Sequence, residues 1–369
     1  MAFISYTLGL SLRIDISKAA HRRAAWMMKP GQVYFLIIYF FSLLFCLFLP
    51  VNSFAEHKAA HTSFTLENDL FTPDKTDRYY TSGMRLSFIS STFDEFNDEN
   101  SYGWMREFFG DMDLISADGY RRVVASGVGQ IVITPDDITK TEDQPDDLPY
   151  AGLLYGFYSM NGQRAGRAET LSFMLGVIGP LSMAEESQKF LHKISGSHEP
   201  KGWRHQLKNE LAINLSYDRR YLLTSYRPGN YWDIDLVGTG ALYLGNVITG
   251  ANLSMAVVLG REHSFNPLSI RPDIIGRDSI AVNGSTRTGP FLLAGAGTDY
   301  WLRSFYLDGN ILGDGSSLDK KPLVYNRFFG FGYNWLSFSA HIGWVKHTQL
   351  FEGQKKGMEY GSINFSWSP

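Results

Sequence analysis

Residues 84–88 of this chain are Met-Arg-Leu-Ser-Phe, and residues 363–367 are Ile-Asn-Phe-Ser-Trp. In both stretches apolar side chains alternate with polar ones, and a period of two places the apolar set on one face of a β-strand. Segments of this kind, roughly ten residues long, recur after residue 55, where no apolar run approaches the length of a membrane helix. The pattern predicts an all-β protein with many antiparallel strands.

About twelve strands are expected, with 288–311 kept as one long bent strand because single-chain bacterial barrels have an even strand number. The candidate strands span residues 61–71, 78–91, 120–134, 149–160, 167–178, 210–226, 231–246, 249–262, 288–311, 322–335, 336–350 and 358–368.

The composition supports this class and excludes others. Aromatic residues make up 15% of the chain and there are 36 glycines, which favours pleated strands, bulges and turns. The net charge of −3 argues against a nucleic-acid partner, which usually requires a basic face. The one cysteine, Cys46, lies in a segment that we expect to be removed, so the mature protein would have neither disulfides nor cysteine catalysis.

The N-terminal region has the features of a secretory signal. Lys29 precedes an apolar run over 33–49, and Ser53-Phe54-Ala55 provides a cleavage pattern of small residues. A membrane anchor is the alternative, because a run of about 17 residues is near the lower limit for a span. We predict cleavage after Ala55, with 1–55 as the signal sequence.

Two methionines, Met27 and Met28, offer natural starts, so residues 1–26 are interpreted as a mis-assigned start. Residues 56–369 then form the exported domain. Alternation alone is also compatible with a soluble β-sandwich. Export and the aromatic residues near strand ends favour a transmembrane antiparallel β-barrel in the outer membrane of a Gram-negative cell.

Two stretches break the strand pattern. Residues 92–119 are polar and predict a connection with a short helix at 102–109. Residues 181–209 are predicted to be helical, because Ser182 and Glu185 form a capping box and Gly196 can end the run. The barrel is therefore expected to have short helices in an outer loop.

Several polar residues are candidates for chemistry. Gln188 and His192 are four residues apart on one helix face, where a positioned histidine can act as a general base, although spacing alone favours a solvated loop histidine. Asn68 and Asp69 are typical of a turn, and their oxygens also suit a hard cation such as calcium. Lys140 is by default a surface charge.

Topology groups these residues. If both termini are periplasmic, the first, third and fifth connections between strands share the outer face. No Gly-x-Ser-x-Gly elbow, His-Glu-x-x-His motif or phosphate-binding glycine loop is present, so hydrolysis would need a base-activated water. The outer-face candidates are Asn68, Asp69 and Thr81 at the first connection, Lys140 at the third, and Gln188 and His192 at the fifth.

A set of motifs in family order resembles the lipid A 3′-O-deacylase family. The matches cover nearly the whole mature chain, which is more specific than any one of them. They are 67–71 (Glu-Asn-Asp-Leu-Phe), 76–83 (Thr-Asp-Arg-Tyr-Tyr-Thr-Ser-Gly), 149–152 (Pro-Tyr-Ala-Gly), 176–180 (Gly-Val-Ile-Gly-Pro), Gln188-x-x-x-His192, Gly202-Trp203 with Gln206 and Glu210, and 307–310 (Leu-Asp-Gly-Asn).

The resemblance implies a twelve-stranded outer-membrane barrel with its active site near the outer rim. The implied reaction is calcium-dependent hydrolysis of the ester that links the 3′ acyloxyacyl chain to lipid A. Lipid A or lipopolysaccharide in the outer leaflet would therefore be the partner. A phospholipase on the same scaffold and a non-enzymatic pore or structural barrel are the alternatives.

The resemblance also implies roles for individual residues. His192 would be the general base that activates water, and Gln188 would help to position it. Asn68 and Asp69 would belong to the calcium and oxyanion region. Two further residues are carried over: Thr81, which matches the threonine of a Tyr-Thr-x-Gly motif, and Lys140, which would favour the anionic sugar phosphates or the oxyanion. The sequence departs from the family at Leu148, where many members have arginine.

Overall fold

The fold is a closed barrel of twelve antiparallel strands, each paired with its neighbours in sequence and closed by β1 against β12. The computed structural model describes residues 61–72, 78–98, 100–229, 232–260, 288–313, 318–335 and 337–367. The predicted fold class and strand number are confirmed. The strands are β1 His61–Asn68, β2 Tyr79–Ile89, β3 Arg121–Thr134, β4 Ala151–Arg164, β5 Arg167–Ile178, β6 Glu210–Tyr226, β7 Asp233–Gly245, β8 Ile248–Gly260, β9 Gly289–Ser304, β10 Leu323–Asn334, β11 Phe338–His347 and β12 Glu359–Trp367.

Among the described residues, four short α-helices lie in the connections: α1 Gly103–Phe109, α2 Asp113–Ser116, α3 Ala184–Ser195 and α4 Phe305–Asp308. The helix expected at 102–109 is present as α1. The stretch 288–311 contains a single strand, as predicted. It is shorter than expected because the backbone turns into α4 directly after Ser304.

The connections fall at two rims. Those leaving β1, β3, β5, β7, β9 and β11 share one end of the barrel, which we call the upper rim. His61 and Trp367, the first and last described residues, lie at the opposite end. Every candidate site residue lies at or near the upper rim. In the part of the chain that the structure describes, no helix is long and apolar enough to cross a membrane. The predicted signal at 1–55 lies outside the described residues.

Strand register separates an inward from an outward face, because directly opposite residues share a face. Glu67 lies opposite Gly83, and Gly83 lies opposite Ile131, so the three residues share a face. Ile131 belongs to the buried core cluster, so this face is the inward one. Outward positions on β7 to β10 carry exposed apolar side chains that suit lipid, such as Leu242 and Phe329. Inward aromatic side chains fill the interior; they include Tyr80, Tyr155, Phe157, Phe291, Phe328 and Tyr360.

Strands β3 and β4 differ from the rest because their outward residues are buried too. Tyr158 and Met160 face outward in this register, yet neither is accessible to solvent. Near the lower rim the connection between β2 and β3 covers this surface, and the Tyr158 hydroxyl donates to the Asn100 carbonyl at 3.1 Å. Near the upper rim the cover is α3, and this part of the wall carries the candidate site.

Candidate active site

Helix α3 presents a buried face made of three residues spaced four apart: Ala184, Gln188 and His192. This spacing places them on one side of the helix. The helix ends at Gly196, which adopts φ 74 and whose amide donates to the His192 carbonyl at 2.9 Å. The predicted end of the helix is therefore confirmed, and both candidate residues lie on the side that packs against the protein.

The predicted capping box is wrong. Met183 occupies the N-cap position with φ 57, and the Ser182 hydroxyl donates to the Gly179 carbonyl at 2.6 Å instead of to the helix. The left-handed conformation of Met183 separates Ser182 from the first turn, so the box geometry cannot form. The helical region is also narrower than 181–209, because the chain beyond Gly196 contains only a short 3₁₀ turn at Trp203–His205.

Helix α3 packs on the outer surface of the barrel wall. Gln130, which faces outward on β3, donates its side-chain amide to the Ser182 carbonyl at 2.6 Å. A Cβ at Gly152 would collide with the Ser182 hydroxyl and with the Ala184 methyl, so the close approach requires glycine. One apolar cluster joins the helix, the wall and the loops: Val132, Ile138, Tyr150, Ala184 and Trp203.

Gln188 ties the helix to the following loop. Its Oε1 atom accepts a hydrogen bond from the indole nitrogen of Trp203 at 2.8 Å. Its Nε2 atom is buried and has no hydrogen-bond partner within the described residues. A buried donor of this kind is costly unless something pairs with it, so Gln188 retains a donor for a ligand or water.

The His192 ring is buried, with only 6% of its surface exposed, and is not the solvated loop histidine that spacing alone favoured. Its Nδ1 atom lies 2.5 Å from the His198 carbonyl oxygen. A carbonyl oxygen can only accept, so Nδ1 carries the proton and Nε2 carries the lone pair. This tautomer is the one that a general base needs.

Asn68 and Asp69 form the turn that their residue types indicate. The Asn68 side-chain oxygen accepts from the Leu70 amide at 2.7 Å, which caps a 3₁₀ turn over Asp69–Phe71. Asp69 is fully buried, and its Oδ2 atom accepts from the Arg78 amide at 2.5 Å. The turn therefore fixes a carboxylate at the upper end of β1.

Arg78 and Asp136 connect this turn to two other loops. The Arg78 guanidinium pairs with Asp136 at 3.2 Å, and Lys355 from the connection between β11 and β12 pairs with the same carboxylate at 3.2 Å. The Asp136 amide donates to Asp147 at 2.8 Å. Burial raises the pKa of Asp147 above its ordinary value, while this hydrogen bond and another from the Leu148 amide oppose the rise.

Thr81 lies at a β-bulge, where the pairing of β2 with β3 shifts register between Tyr80 and Ser82. Its hydroxyl is 2.7 Å from that of Thr134, and both residues are buried. The non-glycine residues with positive φ in the described chain are Tyr79, two positions earlier, and Met183. Backbone strain of this kind concentrates at functional sites. Here Tyr79 lies at the start of β2, next to Thr81, and Met183 lies at the start of α3, which carries Gln188 and His192.

Lys140 stands apart from the other five residues. Its side chain is 54% exposed and its ammonium lies 3.9 Å from Asp137, the one ion pair it makes within the described part of the chain. The structure therefore brings the first and fifth connections against the barrel wall but leaves Lys140 as a surface charge near them.

A calcium ion is compatible with this region in donor type. The Asp69 carboxylate and the Asn68 amide oxygen are hard donors, which calcium prefers. Among the described residues no three acidic, histidine or cysteine side chains are grouped to hold a metal. The remaining ligands would have to come from main-chain carbonyls, water or substrate.

Sequence reasoning missed several residues that organise the site. Trp203 and Arg78 lie inside motifs that resemble the family, but nothing in the motifs indicated their partners. Thr134 and Asp136 carried no local signal, because their roles depend on strand and loop contacts between distant parts of the chain.

The chain matches a model of one protein family over nearly its whole length. The model described as "Outer membrane protein LpxR" matches residues 40–368, which is most of the chain. The chain belongs to the LpxR family. It is accordingly an outer-membrane protein, and the family resemblance noted in the sequence is confirmed.

The solved structure of another LpxR protein shows the same fold as this LpxR-family chain. LpxR from Salmonella typhimurium superposes with a TM-score of 0.68 at 16% identity, covering 84% of this chain and 100% of that one. The β-domain of the Bordetella autotransporter BrkA matches with a TM-score of 0.40 at 9% identity, covering 84% of this chain and 97% of that one. A search of curated proteins found no match.

Proposed function

We propose that this LpxR-family protein hydrolyses the ester that links the 3′ acyloxyacyl chain to lipid A in the outer leaflet. The observation that carries the proposal is the position of His192. It lies on the buried face of α3, the helix that packs on the outward surface of β3 and β4, and its ring has the tautomer of a base. With the upper rim on the outside of the cell, this position lies on the outer-leaflet side of the barrel wall rather than in the barrel interior.

The His192 ring would act on water. Nε2 takes a proton from the water while its oxygen attacks the ester carbonyl carbon. The tetrahedral intermediate then collapses, the acyloxyacyl group leaves as a carboxylic acid, and the sugar oxygen takes the proton from Nε2 to become a hydroxyl. The unpaired Nε2 donor of Gln188 is suited to orient the water.

The oxyanion of the intermediate needs positive charge or donors. Asn68 and Asp69 would hold calcium, which when bound would supply positive charge to the ester carbonyl. The Thr81 hydroxyl, kept in place by Thr134, contributes a polar group at the same rim. Lys140, being exposed, is available to the anionic sugar phosphates.

Of the alternatives, an open pore receives less support. The inward aromatic residues, together with Phe305, Leu307, Leu350 and Phe351 of the upper loops, are buried in one cluster, which does not suit an open pore. A phospholipase would use the same histidine, so the substrate itself has to be tested.

The test is mass spectrometry of lipids from Gram-negative cells that express the wild-type protein or a His192→Ala variant. Lipid A that loses the mass of its 3′ acyloxyacyl chain only with the wild-type protein supports the proposal. Lysophospholipid without any change in lipid A would show a phospholipase. Identical lipids in both strains would exclude hydrolysis under these conditions and favour a structural barrel.

A further inference from the structure

The outward surface of β4, β5 and β6 carries three arginines near the lower rim, the end of the barrel opposite the upper rim. Arg164 shares the outward face of Tyr158, because alternate residues of a strand point to the same side. Arg167 lies opposite Arg164, and Arg219 lies opposite Glu169, two residues after Arg167. Directly opposite residues share a face, so all of these side chains are outward. We call Arg164, Arg167 and Arg219 the arginine cluster.

The arginine cluster lies at the other end of the membrane-spanning wall from the candidate active site. Strand β5 runs from Arg167 at the lower rim to Ile178 at the upper rim. With a rise of about 3.3 Å per residue and a tilt of about 40°, it spans roughly 28 Å along the barrel axis. The apolar band of such barrels is about 25 Å tall. With the upper rim on the outside of the cell, the arginine cluster is therefore at the headgroup level of the inner leaflet.

The region has an excess of positive charge, because its three guanidinium groups share two carboxylates in the described ion pairs. Asp113 of α2 lies 2.9 Å from Arg167 and 3.6 Å from Arg164. The buried Glu169 carboxylate lies 2.6 Å from Nε of Arg167 and 3.2 Å from Nη2 of Arg219. One positive charge is left over, and it lies on the lipid side of the wall.

Two members of the arginine cluster keep donors open. The Nη2 atom of Arg167 is buried and has no hydrogen-bond partner within the described residues, which is costly unless something pairs with it. The Arg164 side chain is 36% exposed, and its distance of 3.6 Å from Asp113 is too long for a hydrogen bond. Its guanidinium lies over the Tyr120 ring, 4.9 Å from the ring centre, which leaves the edge of the guanidinium plane open to an anion.

Helix α1 places exposed aromatic side chains beside these arginines. Trp104 and Phe108, four residues apart on one helix face, expose 49% and 81% of their surfaces, whereas Met105 is buried. The Trp104 ring packs edge-on against Phe173, with the ring centres 5.6 Å apart. Phe173 lies on the outward face of β5, four residues from Glu169. Tryptophan is enriched at membrane interfaces, so α1 is suited to lie among lipid chains at the level of the arginine cluster.

Other strands carry apolar side chains at this level. The outward residues near the lower rim of β8, β9 and β11 include Val257, Leu292 and Phe338, all of them exposed. Ordinary contact with lipid chains therefore does not explain three arginines on β4, β5 and β6.

We propose that the arginine cluster binds the phosphate group of an anionic phospholipid in the inner leaflet, with α1 lying among the neighbouring acyl chains. The planar guanidinium fork matches phosphate oxygens and can make two hydrogen bonds at once. The excess of one positive charge favours a headgroup with a net negative charge over a zwitterionic one, whose ammonium would add a further cation. The site is separate from His192 and does not depend on the proposed hydrolysis.

The test uses folded protein in nanodiscs that contain equal amounts of phosphatidylglycerol and phosphatidylethanolamine, which share the phosphate and differ in net charge. Native mass spectrometry of the released protein measures which lipid stays bound, and the wild type should prefer phosphatidylglycerol. Arg164→Gln should reduce this preference roughly fivefold, the usual effect of one cation near an anionic membrane surface. Asp113→Asn should raise it, because both arginines that pair with Asp113 become available to the lipid.

The opposite signs distinguish a lipid site from a structural role. If the arginines only hold α2 on the wall, both substitutions remove the same contact and change the lipid preference alike or not at all, and either result would overturn the proposal. Arg227→Gln, at an exposed arginine of the connection between β6 and β7 at the same rim, is the matched control and should behave as the wild type. An equal loss in this control would show a general effect of charge and would also overturn the proposal. The heat-modifiable gel shift verifies that each variant is folded.

Discussion

The Nδ1 proton of His192 is held by the main-chain carbonyl of His198, so the tautomer does not depend on the His198 side chain. His192→Ala should reduce lipid A deacylation about 100- to 10,000-fold, the usual contribution of a general base. The barrel should still fold, because the residue belongs to a loop helix. His198→Ala keeps the carbonyl that bonds Nδ1 and should remain active.

The control for His192 is His205→Ala, since His205 is half-buried and its ring accepts a hydrogen bond from the exposed Arg204 rather than lying on the buried face of α3. Rates are to be measured on purified, folded variants. An inactive His205 variant beside an active His192 variant would show that the base lies elsewhere.

Gln188 has a structural and a positioning role. Gln188→Ala leaves the buried Trp203 indole donor unpaired, which should cost about 1–3 kcal/mol of loop stability and reduce activity less than His192→Ala does. Trp203→Phe removes the other partner. A double-mutant cycle on stability and on kcat should therefore show coupling between the two changes. Purely additive effects would mean that the hydrogen bond contributes nothing.

Calcium dependence is expected from the hard oxygens of Asn68 and Asp69. Excess chelator should abolish deacylation and added calcium should restore it. Asp69→Asn should weaken this response, so that more calcium is needed for half-maximal rate. Asp137→Asn, an exposed carboxylate of the connection between β3 and β4, is the matched control and should respond as the wild type does. Full activity in excess chelator would remove calcium from the mechanism.

Among the elements, α3 depends on its close approach to the wall. A side chain at Gly152 would occupy the space of Ser182 and Ala184, so Gly152→Val should push the helix outward and abolish activity without unfolding the barrel. Gly240→Val is the control, because a Cβ there meets only a Leu253 methyl, at 3.5 Å. Deacylation assays and the heat-modifiable gel shift of folded barrels would measure the two effects separately. Equal activity of both variants would contradict the close packing of α3 on Gly152.

The extent to which these elements were predictable follows from how local their signals are. The strands could be predicted because apolar residues alternate with a period of two within each segment. The helix end could be predicted because Gly196 can adopt positive φ. The helix start was wrong because Met183 takes a left-handed conformation that its residue type does not indicate. Burial of His192 was unpredictable from spacing, since it depends on β3 and β4, which are distant in sequence.

For the whole molecule, topology alone predicts only that the six candidate residues share the upper rim. The structure places five of them against the outer side of the wall, and Lys140 is the exposed exception. The link from Arg78 to Asp136 and Lys355 needed the closed barrel, because it joins residues more than two hundred positions apart. Cleavage after Ala55 stays a prediction, since it concerns residues outside the described part.

The position of α3 and His192 on the outer side of the barrel wall has a consequence for the kinetics of the proposed reaction. A substrate that reaches it comes by lateral diffusion in the plane of the membrane, so its mole fraction in the bilayer or micelle sets the rate. Diluting lipid A with inert detergent at constant total lipid A should therefore slow deacylation. Raising the number of mixed micelles at constant composition should leave the rate per enzyme unchanged once all enzyme is incorporated. On the proposed function, the rate of deacylation would therefore vary with the two-dimensional concentration of lipid A in the leaflet.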